Sequence, residues 1–290
     1  MEVISYTHYV IVWISILLQI EKEFVSGNFT LPALPTIALK VKQAVQDPNM
    51  DMAKLGQVVS LDPPFTAFLI NIANSPLFRG VASIDSLPNA LGRIGLESTR
   101  NSAMIFAVRS LLRTRDPLCK KLLTLVWKQS RQVAALAFVI ARHSKTADPN
   151  RALVAGMFHN VGMIPLLVKL TQQKHSEKEI MDNWSQITRT ANNIGARVLA
   201  YWGLEEDLIA VAKGARKWKL KQREPLVDLV NLAIWHSLLG QPEFKQLPRL
   251  QELNYFNNHP MLETDASESL LFVKEAQQEL DKMTQALNRA

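Results

Sequence analysis

Residues 61–78 read LDPPFTAFLINIANSPLF, from Leu61 to Phe78, and this stretch decides the fold class. Asp62 can accept a hydrogen bond from the first free N–H groups of a helix. Pro63 suits the position after it, because its φ is already helical and its missing N–H is not needed there. Phe65, Phe68, Leu69 and Ile72 then recur at helical spacing, and Asn74-Ser75-Pro76 ends the run. Start, apolar face and stop all specify a short, buried helix.

The same punctuation spreads outward in both directions. Pro35 opens a helix to Asp47 with Ile37, Val41, Ala44 and Val45 on one face, and Asp51 caps another bearing Leu55, Val58 and Val59. Ser86 begins a helix that Gly95 closes after Ile94. Residues 97–113 and 117–144 read as two longer helices broken at Asp116-Pro117, and Asp148 caps a segment running into the His159 region. Further helices are expected at Ala191–Trp202, 205–217, 225–240 and 267–289. The last carries Leu270, Leu271, Val273, Leu280, Met283 and Leu287 above a charged face. No run of alternating strands with hairpin turns interrupts the series. The expected fold is all-α, an irregular multi-helix bundle.

A chain of 290 residues, 48% apolar and 20% charged, can bury a full core without covalent staples. Its one cysteine, Cys119, rules out an intrachain disulfide, fits a reducing, cytoplasmic setting and reads as a packed thiol. The net charge of +7 is concentrated centrally: 19 basic against nine acidic residues in 115–225, but five against nine in 226–290. Any anionic partner belongs to that middle region.

Val10 to Leu18, VIVWISILL, is about half the length that spans a bilayer as a helix. Glu2 precedes it and Glu21, Lys22 and Glu23 follow, which is not a signal-peptide arrangement. A helix packed on the body is the plainer reading; a membrane-surface anchor or a misplaced start codon are the alternatives. The expected organisation is an apolar helix over 1–25, a helical domain over 26–240 (parts 26–113 and 114–240), and a loop with a docking helix over 241–290.

Five passages carry a resemblance. They are Leu31–Pro35 (LPALP), Leu61–Phe78, Ser83–Arg100 (SIDSLPNALGRIGLESTR), Ala155–Gly162 (AGMFHNVG) and Gly195–Leu204 (GARVLAYWGL). In this order they resemble the HDOD domain, a bacterial signalling module related to the HD-domain metal phosphohydrolases. The resemblance implies an HD-domain-like fold and a regulatory role, whereas fold alone does not imply chemistry.

The catalytic relatives hold divalent metals through histidines and aspartates on several helices, and the metal polarises a phosphoryl group and activates water. By that resemblance the His-Asp pair falls on His159 and Asn160, and an amide oxygen supplies no charge to offset a cation. Gln129 stands where a first histidine is expected, Gly214 and Ala215 where paired histidines are, and Ile234 where a closing aspartate is. His143, His175 and His236 fall elsewhere. No metal, cofactor or catalytic residue is therefore expected. His159 reads as a packed histidine, or as part of a relic pocket with Asn160, Gln129 and Arg197 that takes a small anion or nucleotide.

Lys213, Arg216, Lys217, Lys219, Lys221 and Arg223 surround Trp218. Basic residues around an aromatic can grip phosphates and stack a base, but they also finish helix C-termini and solvated linkers. This segment is the anion-binding candidate, with non-specific nucleic-acid contact at most. No Gly-rich phosphate loop or GxSxG elbow is present. Trp202, Trp235, Phe65, Phe68 and Phe78 read as core. Three functions follow: a non-catalytic signalling module working by protein contact, with itself among the candidate partners; a metal-dependent phosphohydrolase; and a nucleotide or nucleic-acid binder.

Overall fold

The computed structural model describes residues 2–26, 32–78, 82–218, 224–241, 247–253, 273 and 276–289. The α-helices are α1 (Glu2–Val25), α2 (Thr36–Val45), α3 (Met52–Ser60), α4 (Pro63–Ala73), α5 (Leu87–Ile94), α6 (Leu96–Ser110) and α7 (Pro117–Ser144). They continue with α8 (Pro149–Phe158), α9 (Met163–Gln172), α10 (Glu177–Asp182), α11 (Trp184–Tyr201), α12 (Glu206–Gly214), α13 (Pro225–Ser237) and α14 (Gln277–Arg289). No strand occurs among the described residues, and the fold is all-α as expected.

Capping aspartates set the helix starts. The Asp62 carboxylate accepts the Phe65 N–H at 2.9 Å, Asp116 that of Cys119 at 2.6 Å, and Asp148 that of Arg151 at 2.7 Å. Each is followed by a proline in the first turn, and each cap is worth ~1 kcal/mol against alanine. Asn74 does more than stop α4: its side chain donates to the Ile84 carbonyl at 2.6 Å and accepts the Ile84 N–H at 2.8 Å. Arg93 donates to the carbonyls of Ala73 and Ala82. The second and third motif passages are thereby stitched together.

The structure goes beyond the expectation in 163–190, where α9 and α10 lie and α11 begins at Trp184 rather than Ala191. The available signal was Ser176-x-x-Glu179, which forms a reciprocal capping box. α12 stops at Gly214 instead of 217 and α13 at Ser237 instead of 240. Leu270 and Leu271 lie outside the described residues.

Two compact units divide the chain. One comprises Met1–Ala33, Leu112–Lys128 and Phe158–Lys217; the other comprises Leu34–Leu111, Gln129–Met157 and Trp218–Ala290. In the first, α11 packs against α1, α9, α10 and α12. In the second, α2 lies on α3 and α6, and α4 on α5, with Phe65, Phe68 and Phe106 forming an aromatic cluster.

α1 buries Trp13, Leu17, Ile20 and Phe24, a helical stripe. Trp13 lies 4.8 Å from the His175 ring, Glu21 accepts from Asn193 at 2.7 Å, and Lys169 pairs with Glu23 at 2.8 Å. Its outer face is also apolar: Ile11 is 58% exposed and Leu18 52%, with Val12 and Ile14 exposed beside them. α14 buries Leu280, Met283 and Leu287 and turns Gln277, Gln278, Asp281, Lys282 and Gln285 outward. The stretch Pro149–Gln172 has the length and hydropathy to cross a membrane, yet 89% of its most apolar 18 residues are buried inside the protein. It comprises two helices broken at residues 159–162.

Candidate functional site

α8 ends at Phe158, and the turn at residues 159–162 carries His159 and Asn160 before α9 starts. Both side chains are buried, at 2% and 6% exposure. Glycines explain why the turn sits so deep. A Cβ on Gly162 would come within 2.0 Å of the Ala191 carbonyl oxygen and 2.4 Å of the Gly195 nitrogen, both on α11. On α8, a Cβ at Gly156 would meet the Ala134 Cα at 2.6 Å, on α7. Gly156 and Gly162 of the AGMFHNVG passage and Gly195 are thus required here for a steric reason: backbone packs on backbone.

Asn160 spends its amide on this packing, donating to the Val126 carbonyl of α7 at 3.5 Å. Gln129 is half-buried one turn further along α7 and belongs to the other compact unit. Arg197 is on the exposed side of α11. Of the relic quartet, His159 and Asn160 are buried side by side in the turn, while Arg197 faces solvent.

The remaining positions of the implied metal set carry structural roles. Ala215 is buried at the end of α12, and its carbonyl accepts from the buried Asn192 at 2.6 Å. Gly214 offers no side chain, and Ile234 is fully buried aliphatic packing in α13. His143 is exposed, His175 lies against Trp13, and His236 is buried beside Trp235. No group of three His, Cys, Asp or Glu side chains placed to share a metal ion occurs among the described residues. A divalent metal needs several anionic or imidazole donors, and these positions offer one imidazole and two carboxamides. The residues do not fit the group.

Two buried polar residues escaped the sequence reading as a pair. Asp228 and Asn231 stand one turn apart on α13, 5% and 4% exposed. Their i,i+3 spacing on an otherwise apolar helix was the signal, and Asp228 also lies in the first turn, where the helix dipole favours a carboxylate. Cys119 is buried, and burial raises its thiol pKa above the usual value, against opposing hydrogen bonds from Thr171 and Thr114.

The basic segment is only partly within the described residues. Lys213 and Lys217 are exposed and Arg216 is half-buried with a left-handed φ of 60°. Lys219, Lys221 and Arg223 lie outside the described residues. Trp202 and Trp235 are core as expected, and their indole N–H groups donate to the carbonyls of Pro32 and Pro248. Phe65 and Phe68 are also core, but Phe78 is only half-buried on the rim of a cleft in the second unit. It sits in a single 3-10 turn, too short to be covered on every side.

Known proteins share this architecture. A candidate metal-dependent phosphohydrolase from Shewanella amazonensis superposes with a TM-score of 0.78 at 18% identity, covering 95% of this chain and 97% of its own. An HDOD domain protein from Geobacter sulfurreducens gives 0.66 at 21% identity, covering 94% and 98%. Identities this low speak for the fold alone. An uncharacterized protein of Treponema pallidum (strain Nichols) is 24% identical over 239 residues, which is 76% of this chain and 45% of that relative. This chain therefore spans less than half of that relative's length. The HDOD domain profile matches residues 31–217, most of the chain and the whole of all five passages, and the chain belongs to the HDOD domain family.

Proposed function

We propose that this chain is a non-catalytic regulatory module of bacterial signalling that acts through protein–protein contacts in the cytoplasm. One observation carries the reading: the positions that would ligate metal are Gln129, His159, Asn160, Gly214, Ala215 and Ile234, and none of them is a carboxylate. Asn160 instead ties its turn to α7. The helical punctuation around these positions is intact, which supports selection for shape over chemistry. The surface offered for contact is the outer face of α1, where Ile11, Val12, Ile14 and Leu18 are exposed together. A second copy of the chain is among the partners that would cover it.

Metal binding separates this reading from its rival. Purified chain, dialysed against Mn²⁺ and assayed by elemental analysis and with a generic phosphodiester, is expected to hold no stoichiometric metal and release no product. At least one tightly held metal per chain, lost on His159→Ala, overturns the proposal. The rival, a metal-dependent phosphohydrolase, draws its support from the designation of the Shewanella protein. Nucleic-acid binding through 213–223 is expected to be weak and steeply salt-dependent, since Lys213 and Lys217 also suit the negative end of α12.

A further inference from the structure

We propose that the face of the second unit formed by α4, the Pro76–Phe78 turn and α7 is a docking groove for an amphipathic protein helix, with α14 as its exchangeable resident. α14 packs on α4 and on that turn. It engages them through three side chains at helical spacing, Leu280, Met283 and Leu287, all buried. Two polar ties fix its register: Arg142 forks both guanidinium nitrogens onto the Glu279 carboxylate, and Arg131 donates to the Thr284 carbonyl at 2.8 Å. The Glu279 side chain is only 10% exposed, and the other described residues of α14 face water or are half-exposed. Three apolar anchors on the helix, with the buried Val273 ahead of it, must offset the ordering of more than a dozen residues, which leaves the resident a modest hold.

α14 does not fill the groove completely. Beside Leu287, where α6 and α8 extend the wall, it leaves an unfilled cleft of about 20 Å³ lined among others by Ile72 of α4, Leu77 and Phe78 of the turn, Ile105 of α6 and Leu153 of α8. Those wall residues all lie within 31–217, the part that defines the family, whereas α14 lies outside it. The resident also answers the charge of the groove incompletely. Arg131 is half-buried with Arg109 close by; burial first and then Arg109 depress its pKa, and its contact from α14 is a neutral carbonyl. A better occupant is a helix with a carboxylate at the place of Glu279, apolar residues one, four and eight positions later, and a second carboxylate near the place of Thr284. Naming a protein helix as the partner rests on the contact-based function, but the groove is tested without it.

Hydrogen exchange on the full chain reads the resident directly. α14 amides are expected to exchange at least tenfold faster than those of α7 between Arg131 and Arg142, through an opening independent of denaturant. A labelled peptide copying residues 273–290 is expected to bind full-length Leu280→Asp/Met283→Asp at least tenfold more tightly than the wild type, whose own helix competes. Adding Arg142→Glu should abolish that binding, and a peptide carrying Glu279→Arg should restore it. The proposal is overturned if α14 exchanges only together with α7. It is equally overturned if the double variant loses helix beyond α14, or stays folded and ignores the peptide.

Discussion

α1 and α14 both lie outside the matched family segment, and both lay an apolar stripe on the body, yet they finish their outer faces differently. α14 shows water glutamines, an aspartate and a lysine; α1 shows Ile11, Val12, Ile14 and Leu18. Their inner faces differ too. α1 is anchored by an indole, two aliphatic chains and a phenyl ring, with polar ties from Asn193 and Lys169. A helix deeply anchored within and apolar without fits a fixed element that expects a second surface. A helix lightly anchored and polar without fits one that comes and goes.

The largest expected effect tests the anchoring. Trp13→Ala should lower global stability in urea by ~3–5 kcal/mol, because it empties a buried aromatic site. Met283→Ala should lower it by less than ~1 kcal/mol if α14 detaches before its unit unfolds, below the usual ~2–5 kcal/mol for a core methionine. Equal losses would erase the contrast between the two helices.

Next comes the support beneath α1. Gly162→Ala forces a methyl into the backbone of α11, the helix on which α1 rests, and should cost ~1–3 kcal/mol or more with faster hydrogen exchange in α1. Gly92→Ala, with no atom within 4 Å of the new methyl, should stabilise by ~0.5–1 kcal/mol. Thermal melts of the pair separate close packing from general helix propensity.

The outer faces come third. Ile14→Ser with Leu18→Ser should change stability by no more than ~0.5 kcal/mol each while weakening self-association or partner capture, read by sedimentation velocity. Exchanging Asp281 and Lys282 on α14 should leave the sedimentation profile unchanged. If the α1 variant sediments and captures partners as the wild type does, that face is not the contact surface.

The smallest effect concerns pH. The Lys169 ammonium beside Glu23, through its hydrogen bond above all, holds the Glu23 carboxyl below its usual 4.5. A depressed folded-state pKa means that this tie is present above the unfolded value and is lost as pH falls through the folded one. Acid should therefore loosen α1 below about pH 4.5, followed by hydrogen exchange of the α1 amides, and Glu23→Gln should remove that dependence. Glu179, held below its usual value by the hydrogen bonds of the Ser176 capping box, should add an acid-sensitive tie of its own beside His175, and Glu179→Gln separates it from that of Glu23.

How much of this was legible in the sequence follows from where the signal is local. Asp62-Pro63, Asp116-Pro117 and Asp148-Pro149 announce helices by chemistry within a few residues, and each helix begins where they place it. α9 and α10 were missed because Ser176-x-x-Glu179 is short and the segment before it is apolar almost throughout, which blurs any face. Of the implied ligand set only the residue identities, Gln129, His159, Asn160, Gly214, Ala215 and Ile234, could be read from the sequence, since identity needs no structure. The geometry could not: that Gly162 meets Gly195, or that Arg142 reaches Glu279 across 137 residues, is a long-range fact with no local imprint. Arg197 looked like a pocket residue because it stands in a motif passage, but its place on the helix wheel turns it to solvent.

The burial of Cys119 has a practical reach. A thiol shielded from solvent and held in its protonated form reacts slowly with maleimides, which need an accessible thiolate. The native chain is therefore close to silent toward such reagents without removing its own cysteine. Single cysteines introduced at Leu18 on α1 or Gln285 on α14 should take a fluorophore or spin label selectively in an otherwise native background.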